Sequence, residues 1–257
     1  MSTDIPGTER VHVERADGYA VLTLDDPVRR NALSLAMAAE LVETVAALEA
    51  TPSIRAVVVT GAPPAFCAGA DLAQLEAADE EGLRSIYAGF ERLATSRLLT
   101  VAAVNGAAVG AGMNMALACD VRLAAERASF DTRFLALGLH PGGGHTWMLQ
   151  RAVTSGTAAA LLLGGEAVRG PEAARLGLVY RCVPDDELLG AARRFVAVAA
   201  DAPAELVARV KATLTAVQGG GYRAALEHEL GEQLWSVQQP FFAERVAALR
   251  RRISSGS

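Results

Sequence analysis

The sequence is poor in lysine, aromatic residues and cysteine, and each shortage narrows the class of protein. Lys211 is the single lysine of the 257 residues and the formal net charge is −5, so no basic surface for nucleic acid is expected. Aromatic residues make up 5% of the chain and hydrophobic residues 51%, which indicates an aliphatic, alanine-rich core. The three cysteines, Cys67, Cys119 and Cys182, follow no metal-binding spacing, and we interpret them as reduced thiols.

Membrane and targeting segments are missing as well. No apolar run approaches the roughly 20 residues that a membrane-spanning helix requires. The first residues, MSTDIPGTER, are polar and unlike a signal or transit peptide. We therefore expect a cytoplasmic protein with no membrane partner, and the length suits one large domain with a proper core.

The remaining pattern alternates short strands with helices and predicts an α/β protein. Residues 11–15 and 19–25 alternate apolar and polar side chains and predict a hairpin. A helix is predicted from a Ser34 cap to about Ala50, with Leu35, Leu41, Val45 and Leu48 on its buried face. Further helices are expected at residues 72–78 and 83–98, separated near Gly82, at 146–153, and over most of 185–252.

The stretch TVAAVNGAAVGAGMNMALACD, residues 100–120, organises the rest of the chain. Val101–Val104 reads as a buried strand, Gly110–Gly112 as a turn of small residues, and Met113–Ala118 as a helix. Such a turn leaves backbone N–H groups free at a helix N-terminus, where they favour negative charge. Turns of this kind are also common as purely structural elements.

A second turn of the same kind follows the strand-like IRAVVVTG, residues 54–61. The sequence AFCAGADL, residues 65–72, is again rich in small side chains. Two such turns could aim two N–H groups at one carbonyl oxygen, and this arrangement is an oxyanion hole that stabilises an enolate or a tetrahedral anion.

Four motifs together resemble the enoyl-CoA hydratase/isomerase (crotonase) family over roughly residues 10–200. They are AFCAGADL, NGAAVGAGMNMALACD, LGLHPGGGHTWML and EAVRGPEAARLGLVYRCVP. The resemblance implies a spiral of ββα units over residues 1–200 and a helical oligomerisation region over residues 201–257. It also implies a homotrimer or a dimer of trimers, and acyl-CoA thioester ligands. Coenzyme A would then be part of the substrate, with no permanently bound cofactor and no metal.

The same resemblance assigns site residues by position. Ala68 and Ala111 would supply the two N–H groups of the oxyanion hole, and Asn114, Phe134 and Gly142 would face the acyl group. The residues that match the family's coenzyme A segments are Arg30, Asn31, Ala32, Leu33, Ala68, Gly69, Ala70, Asp71, Leu72 and Gly110. Arg29 and Arg30 could pair with phosphates of coenzyme A or remain solvated. The same two interpretations apply to Arg250, Arg251 and Arg252.

Both glutamates that the family's hydratases use are absent from this chain. The frame GAGMNMA has Asn114 where a pattern like GGGCELA has glutamate, and FDTRFLALGLHPG has Phe134 at the other position. Asparagine can hold a water molecule but cannot exchange a proton near neutral pH, and phenylalanine can do neither. Standard hydration of an enoyl-CoA is therefore not expected.

Other side chains could supply the acid/base chemistry instead. His140 is the first candidate because histidine as a residue type exchanges protons near neutrality. Asp131 is the second, although it could merely cap a turn. His145 could cap the following helix, Asp71 is a further candidate, and Cys67 is expected only to pack.

Three functions remain open from the sequence. The chain could be an acyl-CoA enzyme whose isomerisation, decarboxylation or thioester hydrolysis uses the oxyanion hole. It could be a non-catalytic carrier or sensor of fatty acyl-CoA, since Phe134 makes the pocket apolar. It could also retain hydration with water held by Asn114 alone.

Overall fold

A computed structural model of the protein describes residues 10–255 and has the mixed α/β architecture that the sequence predicts. The strands in this part of the chain are β1 (Val11–Arg15), β2 (Tyr19–Leu24), β3 (Ala56–Gly61), β4 (Ala65–Cys67), β5 (Leu99–Val104), β6 (Ala107–Val109), β7 (Val121–Ala125), β8 (Ser129–Asp131), β9 (Val168–Arg169) and β10 (Arg181–Val183). The α-helices are α1 (Leu35–Glu49), α2 (Leu72–Glu76), α3 (Glu80–Ala94), α4 (Ala111–Ala118), α5 (His145–Ala152), α6 (Ser155–Gly164), α7 (Gly170–Arg175), α8 (Leu188–Asp201), α9 (Ala204–Ala216), α10 (Tyr222–Val237) and α11 (Pro240–Ser255).

Two sheets divide the strands between them. The larger sheet has the order β1-β2-β3-β5-β7-β10, in which β1 and β2 form the predicted antiparallel hairpin and the other pairs are parallel. The smaller sheet has the order β4-β6-β8-β9, and its first three strands are parallel to one another. The carboxyl ends of β4, β6 and β8 consequently lie side by side at one edge.

The strands follow a repeating pattern along the chain. In each of the pairs β3–β4, β5–β6 and β7–β8, the first strand enters the larger sheet and the second enters the smaller one, and helices follow. This repeat is the spiral of ββα units that the sequence resemblance implies, so the predicted fold class is confirmed.

Continuous apolar runs explain why β3 and β5 lie at the centre of the larger sheet. Every residue of β3 is buried, and so is every residue of β5 after Leu99. Parallel strands covered on both faces show such runs, because neither face meets water. Helix α8 packs on β3, β5 and β7, with Leu188, Ala192 and Val196 buried.

Two local predictions were wrong. The break between α2 and α3 lies at residues 77–79 and not at Gly82, because the Asp79 carboxylate accepts a hydrogen bond from Gly82 N (2.9 Å) and starts α3 there. Ser34 caps α1 as predicted, accepting from Met37 N (3.2 Å), but Leu35 is exposed in the first turn.

The C-terminal helices carry a different surface from the rest of the chain. Lys211 of α9 anchors them to the larger sheet, because its Nζ lies 2.8 Å from Asp120 Oδ2 and donates to Leu98 O (2.9 Å). Large apolar side chains are exposed along α9, α10 and α11, among them Leu214, Leu230, Leu234, Phe242 and Leu249.

The division of the chain at residue 200 into a core and a helical oligomerisation region stays a prediction. None of the helices in residues 10–255 combines the length and apolarity that crossing a bilayer would take.

Candidate active site

A cavity of about 410 Å³ lies where the chain leaves β4, β6 and β8 and is covered by α2 and α3. It is lined by Ala68, Gly69, Ala70, Leu72, Leu75, Leu83, Ile86, Tyr87, Val109, Gly110, Ala111, Asn114, Thr132, Arg133, Phe134, Leu137, Leu139, His140, Pro141 and Gly142. No aspartate or glutamate is among these described lining residues. The wall is mostly apolar, with few polar groups, as is common for small-molecule sites.

The turn after β6 brings a helix N-terminus to this cavity. Gly110 precedes α4 with a φ of 49°, a conformation that favours glycine, and its N–H donates to Asp131 O (2.9 Å). Ala111 is the first residue of α4, so its N–H has no acceptor within the helix. That N–H has no hydrogen-bond partner elsewhere in residues 10–255 and remains available to a ligand.

The loop after β4 corrects one predicted residue of the oxyanion hole. The N–H of Ala68 donates to Arg30 O (3.1 Å), so it is not free to bind a ligand. Ala70, two residues further on, also lines the cavity, and its N–H has no hydrogen-bond partner in the described part of the chain. Ala70, and not Ala68, is therefore the available donor on this loop.

A short parallel bridge between Leu33 and Ala70 explains why the Ala70 N–H is free. Leu33 N–H donates to Gly69 O (2.7 Å) and Leu33 O accepts from Asp71 N–H (3.1 Å). In such a bridge the neighbours of Ala70 make the hydrogen bonds, and the N–H and C=O of Ala70 itself point to the opposite side.

Close packing holds the two turns together. A Cβ atom at Gly112 would overlap the carbonyl oxygen of Cys67, and one at Gly69 would lie 3.2 Å from Val109 O. The small residues in both turns are therefore required for packing, and they also lie at the cavity. They let α4 approach the loop after β4, which brings Ala70 and Ala111 to one wall.

The buried side chain of Asn31 holds β4 and the loop before it through hydrogen bonds. Its Nδ2 donates to Ala62 O (2.8 Å) and Ala65 O (2.9 Å), and its Oδ1 accepts from Asp26 N–H (2.9 Å). Asn31 and Leu33 are fully buried. Both side chains are therefore occupied within the protein, and Asn31 orders β4 and the loop before it, while the predicted role of this segment in holding coenzyme A stays a prediction.

The remaining predicted coenzyme A residues lie in three settings. Arg30 is exposed and Ala32 is half-buried, and neither lines the cavity. Asp71 caps α2 by accepting from Gln74 N–H (3.1 Å) and does not line the cavity either. The lining residues from the predicted set are Ala68, Gly69, Ala70, Leu72 and Gly110.

Cys67 packs beneath the loop, as the sequence predicts. Its side chain is fully buried, and this burial raises the pKa of the thiol to about 11. A thiol with so high a pKa stays protonated at neutral pH and is a poor nucleophile.

Asn114 and Phe134, the two residues that the sequence places at the expected glutamate positions, both contact His145. Both residues line the cavity and are buried. Between them lies His145, which is 1% exposed and whose ring contacts Phe134 edge-on at 4.9 Å. His145 Nδ1 is 2.5 Å from Asn114 Oδ1, and burial lowers the pKa of the imidazole to about 4. The predicted capping role of His145 is wrong, because no side chain caps α5 and this one points inward.

The two leading acid/base candidates lie in different places. His140 lines the cavity and is exposed, and its Nδ1 is 2.8 Å from Pro141 O. Because a carbonyl oxygen only accepts, Nδ1 carries the proton in the neutral ring and Nε2 carries the lone pair. Asp131 lies outside the lining residues, and its carboxylate accepts from Arg133 Nε (2.8 Å).

Tyr87 is a cavity residue that sequence reasoning missed. It comes from α3, and a Cβ atom at Gly142 would collide with its hydroxyl oxygen. Helical periodicity places Tyr87 on a helix but does not indicate which loop it meets, so no local signal could have found it. Within residues 10–255, no group of three histidine, cysteine or acidic residues is arranged to hold a metal ion.

This chain belongs to the enoyl-CoA hydratase/isomerase family, whose sequence model matches residues 14–234. It is 48% identical over 243 residues to a protein of Mycobacterium tuberculosis H37Rv named probable enoyl-CoA hydratase EchA14, covering 91% of this chain and 94% of that one. An enoyl-CoA hydratase structure from Bacillus anthracis superposes with a TM-score of 0.90 at 28% identity, covering 95% and 97% of the two chains. A Thermobifida fusca protein provisionally named an enoyl-CoA hydratase, solved with acetoacetyl-CoA, gives 0.81 at 30% identity, covering 88% and 94%.

Proposed function

We propose that the chain binds an acyl-CoA thioester with its carbonyl oxygen between the N–H groups of Ala70 and Ala111. The observation that carries this proposal is that these two unpartnered N–H groups line one cavity in which no carboxylate faces them. Two backbone donors aimed at one oxygen stabilise the negative charge that develops there when the α-carbon is deprotonated. The acetoacetyl-CoA bound to the Thermobifida fusca relative supports the ligand class.

The reaction we propose is one that passes through an enolate or a tetrahedral oxyanion but does not add water across a double bond. Hydration of the standard kind uses two carboxylates, and the lining residues include none. The Nε2 lone pair of His140 is the proposed acceptor of the proton, since that side chain lines the cavity. Isomerisation, decarboxylation and thioester hydrolysis all fit a site with one proton carrier and an oxyanion hole.

Coenzyme A enters this proposal as part of the substrate, with no permanently bound cofactor. Exposed Arg29 and Arg30 lie on the segment that also holds the loop after β4, which favours them as partners for its phosphates. Exposed apolar side chains on α9, α10 and α11 favour a homotrimer or a dimer of trimers. A cytoplasmic location remains part of the proposal.

The test is incubation with a panel of saturated, 2-enoyl, 3-enoyl and malonyl-type acyl-CoAs, with products read by mass spectrometry. We expect one class to be converted, and His140→Gln to slow that conversion by about 10²–10⁴-fold. Asp131→Asn is the matched control and should have little effect, because Asp131 is paired with Arg133 outside the cavity. Equal turnover in wild type and His140→Gln would remove His140 from the mechanism.

A carrier or sensor of acyl-CoA is the second candidate, and the apolar wall with Phe134 favours it. In that case every acyl-CoA would return unchanged while some remain bound. A protein that binds no acyl-CoA would contradict both functions.

A further inference from the structure

The side-chain amide of Asn114 has one possible orientation. Gly142 O lies 3.0 Å from one end of the amide, and a carbonyl oxygen only accepts hydrogen bonds. The end that faces Gly142 must therefore be Nδ2, although the two ends of an asparagine amide look alike in most structures. Oδ1 then faces His145 Nδ1 at 2.5 Å.

The same reasoning fixes the tautomer of His145. Oδ1 of Asn114 only accepts, so His145 Nδ1 must carry the hydrogen between them. The other tautomer would place two lone pairs against each other. Because burial lowers the pKa of His145 to about 4, the ring is neutral near pH 7. Its Nε2 is buried and has no hydrogen-bond partner in the described part of the chain.

Asn114 is left with one unused hydrogen. Nδ2 carries two hydrogens, of which one is donated to Gly142 O, and no second acceptor contacts it within residues 10–255. Asn114 lines the cavity, and its Oδ1 is occupied by His145. The group that this residue can offer to a ligand is consequently a donor, whereas a glutamate at this position would offer an acceptor.

The position of this donor indicates which part of a ligand it meets. Asn114 is three residues after Ala111 on α4, so both lie on the same face of the helix. Helical side chains lean toward the N-terminus, which brings the Asn114 amide over the turn that holds Ala111. In a 3-oxoacyl thioester, three carbon atoms separate the C3 oxygen from the thioester oxygen, so the C3 oxygen would lie near a thioester oxygen that the Ala111 N–H holds.

We propose that the acyl group bound here carries a hydrogen-bond acceptor on C3, as a 3-oxoacyl-CoA does, and that this acceptor takes the free N–H of Asn114. His145 is a positioning residue, because its Nδ1–H binds Oδ1 and so supports the amide orientation that Gly142 O sets. The proposal rests on the proposed binding of acyl-CoA and narrows its substrate class.

The first test compares acetoacetyl-CoA with butyryl-CoA, which has the same chain length and no C3 oxygen, by titration calorimetry on the wild type. We expect acetoacetyl-CoA to bind about five-fold more tightly, the effect of one neutral hydrogen bond in a buried site. Equal affinities, or tighter binding of butyryl-CoA, would overturn the C3 proposal and leave the proposed function intact. If neither compound bound, the proposed function would fail.

Three variants distinguish the role of Asn114 as a donor from the role of His145 as a positioning residue. Asn114→Ala should reverse the preference, because the C3 oxygen would then be buried without a donor. His145→Phe should reduce it toward equality with little change in butyryl-CoA affinity, and His145→Gln, whose amide N–H can still reach Asn114, should restore it. If His145→Phe weakened both ligands equally and His145→Gln restored neither, the positioning role would be overturned.

Discussion

The two halves of the cavity wall are built in different ways. The wall that holds Ala70 and Ala111 is made from backbone N–H groups, fixed by the packing of Gly112 on Cys67 and by the buried hydrogen bonds of Asn31. Another part of the wall is made from side chains, among them Asn114 and Phe134. The positions of the backbone N–H groups cannot change unless the turns that hold Ala70 and Ala111 move. The groups that side chains present to the cavity change whenever one of those side chains is substituted. This difference means that substitutions can alter the side-chain part of the wall while the two backbone N–H groups stay in place.

The largest effect is expected from Gly112→Val, which attacks the backbone wall directly. Its side chain would overlap the carbonyl of Cys67 and push α4 away from the loop after β4. We expect a loss of at least about 3 kcal/mol in the free energy of unfolding and no acyl-CoA binding. Gly156→Ala is the control, since nothing lies within 4 Å of a Cβ there. Wild-type stability and binding in Gly112→Val would refute the packing argument.

Asn31→Ala should weaken the same wall from behind. The substitution leaves the buried carbonyls of Ala62 and Ala65 without the donor that Nδ2 supplies, and we expect a loss of about 3 kcal/mol. Urea unfolding measures the loss, with exposed Arg30→Ala as the control on the same turn. A loss below that of the control would show that the loop does not depend on Asn31.

The burial of His145 behind the side-chain part of the wall should make the free energy of unfolding depend on pH. The pKa of His145 is lowered from 6.5 to about 4 on folding, so the unfolded chain binds the proton more tightly. Stability is therefore complete above about pH 6.5 and is lost as the pH falls toward 4, by about 2 kcal/mol at pH 5. His145→Gln should lack this part of the loss when both proteins are unfolded in urea at pH 8 and pH 5. Identical pH profiles would contradict the burial of a neutral imidazole.

The smallest effect is expected from Phe134→Leu. Replacing one buried apolar side chain by another of smaller size should cost less than about 1.5 kcal/mol and should leave acyl-CoA binding in place. Thermal unfolding and calorimetry measure both quantities. A loss as large as that of Gly112→Val would erase the distinction between the two walls.

The sequence predicts the turns of the site better than the partners of its side chains. The strand–turn–helix pattern around Ala111 follows from local composition, and so does the hairpin at residues 11–24. The free amide at Ala70 depends on its bridge to Leu33, a contact between segments 37 residues apart in the chain. His145 meets Asn114 across 31 residues, and no local pattern indicates that contact.

The most direct measurement is the infrared spectrum of the thioester carbonyl of butyryl-CoA, labelled with ¹³C and bound to the protein. Two N–H groups donating to this oxygen weaken the C=O bond, so the account predicts a carbonyl band at lower frequency than in free butyryl-CoA. Gly112→Val should lose binding and shift together, and Phe134→Leu should keep both. A ligand that is bound with an unshifted carbonyl band would contradict the oxyanion hole of Ala70 and Ala111.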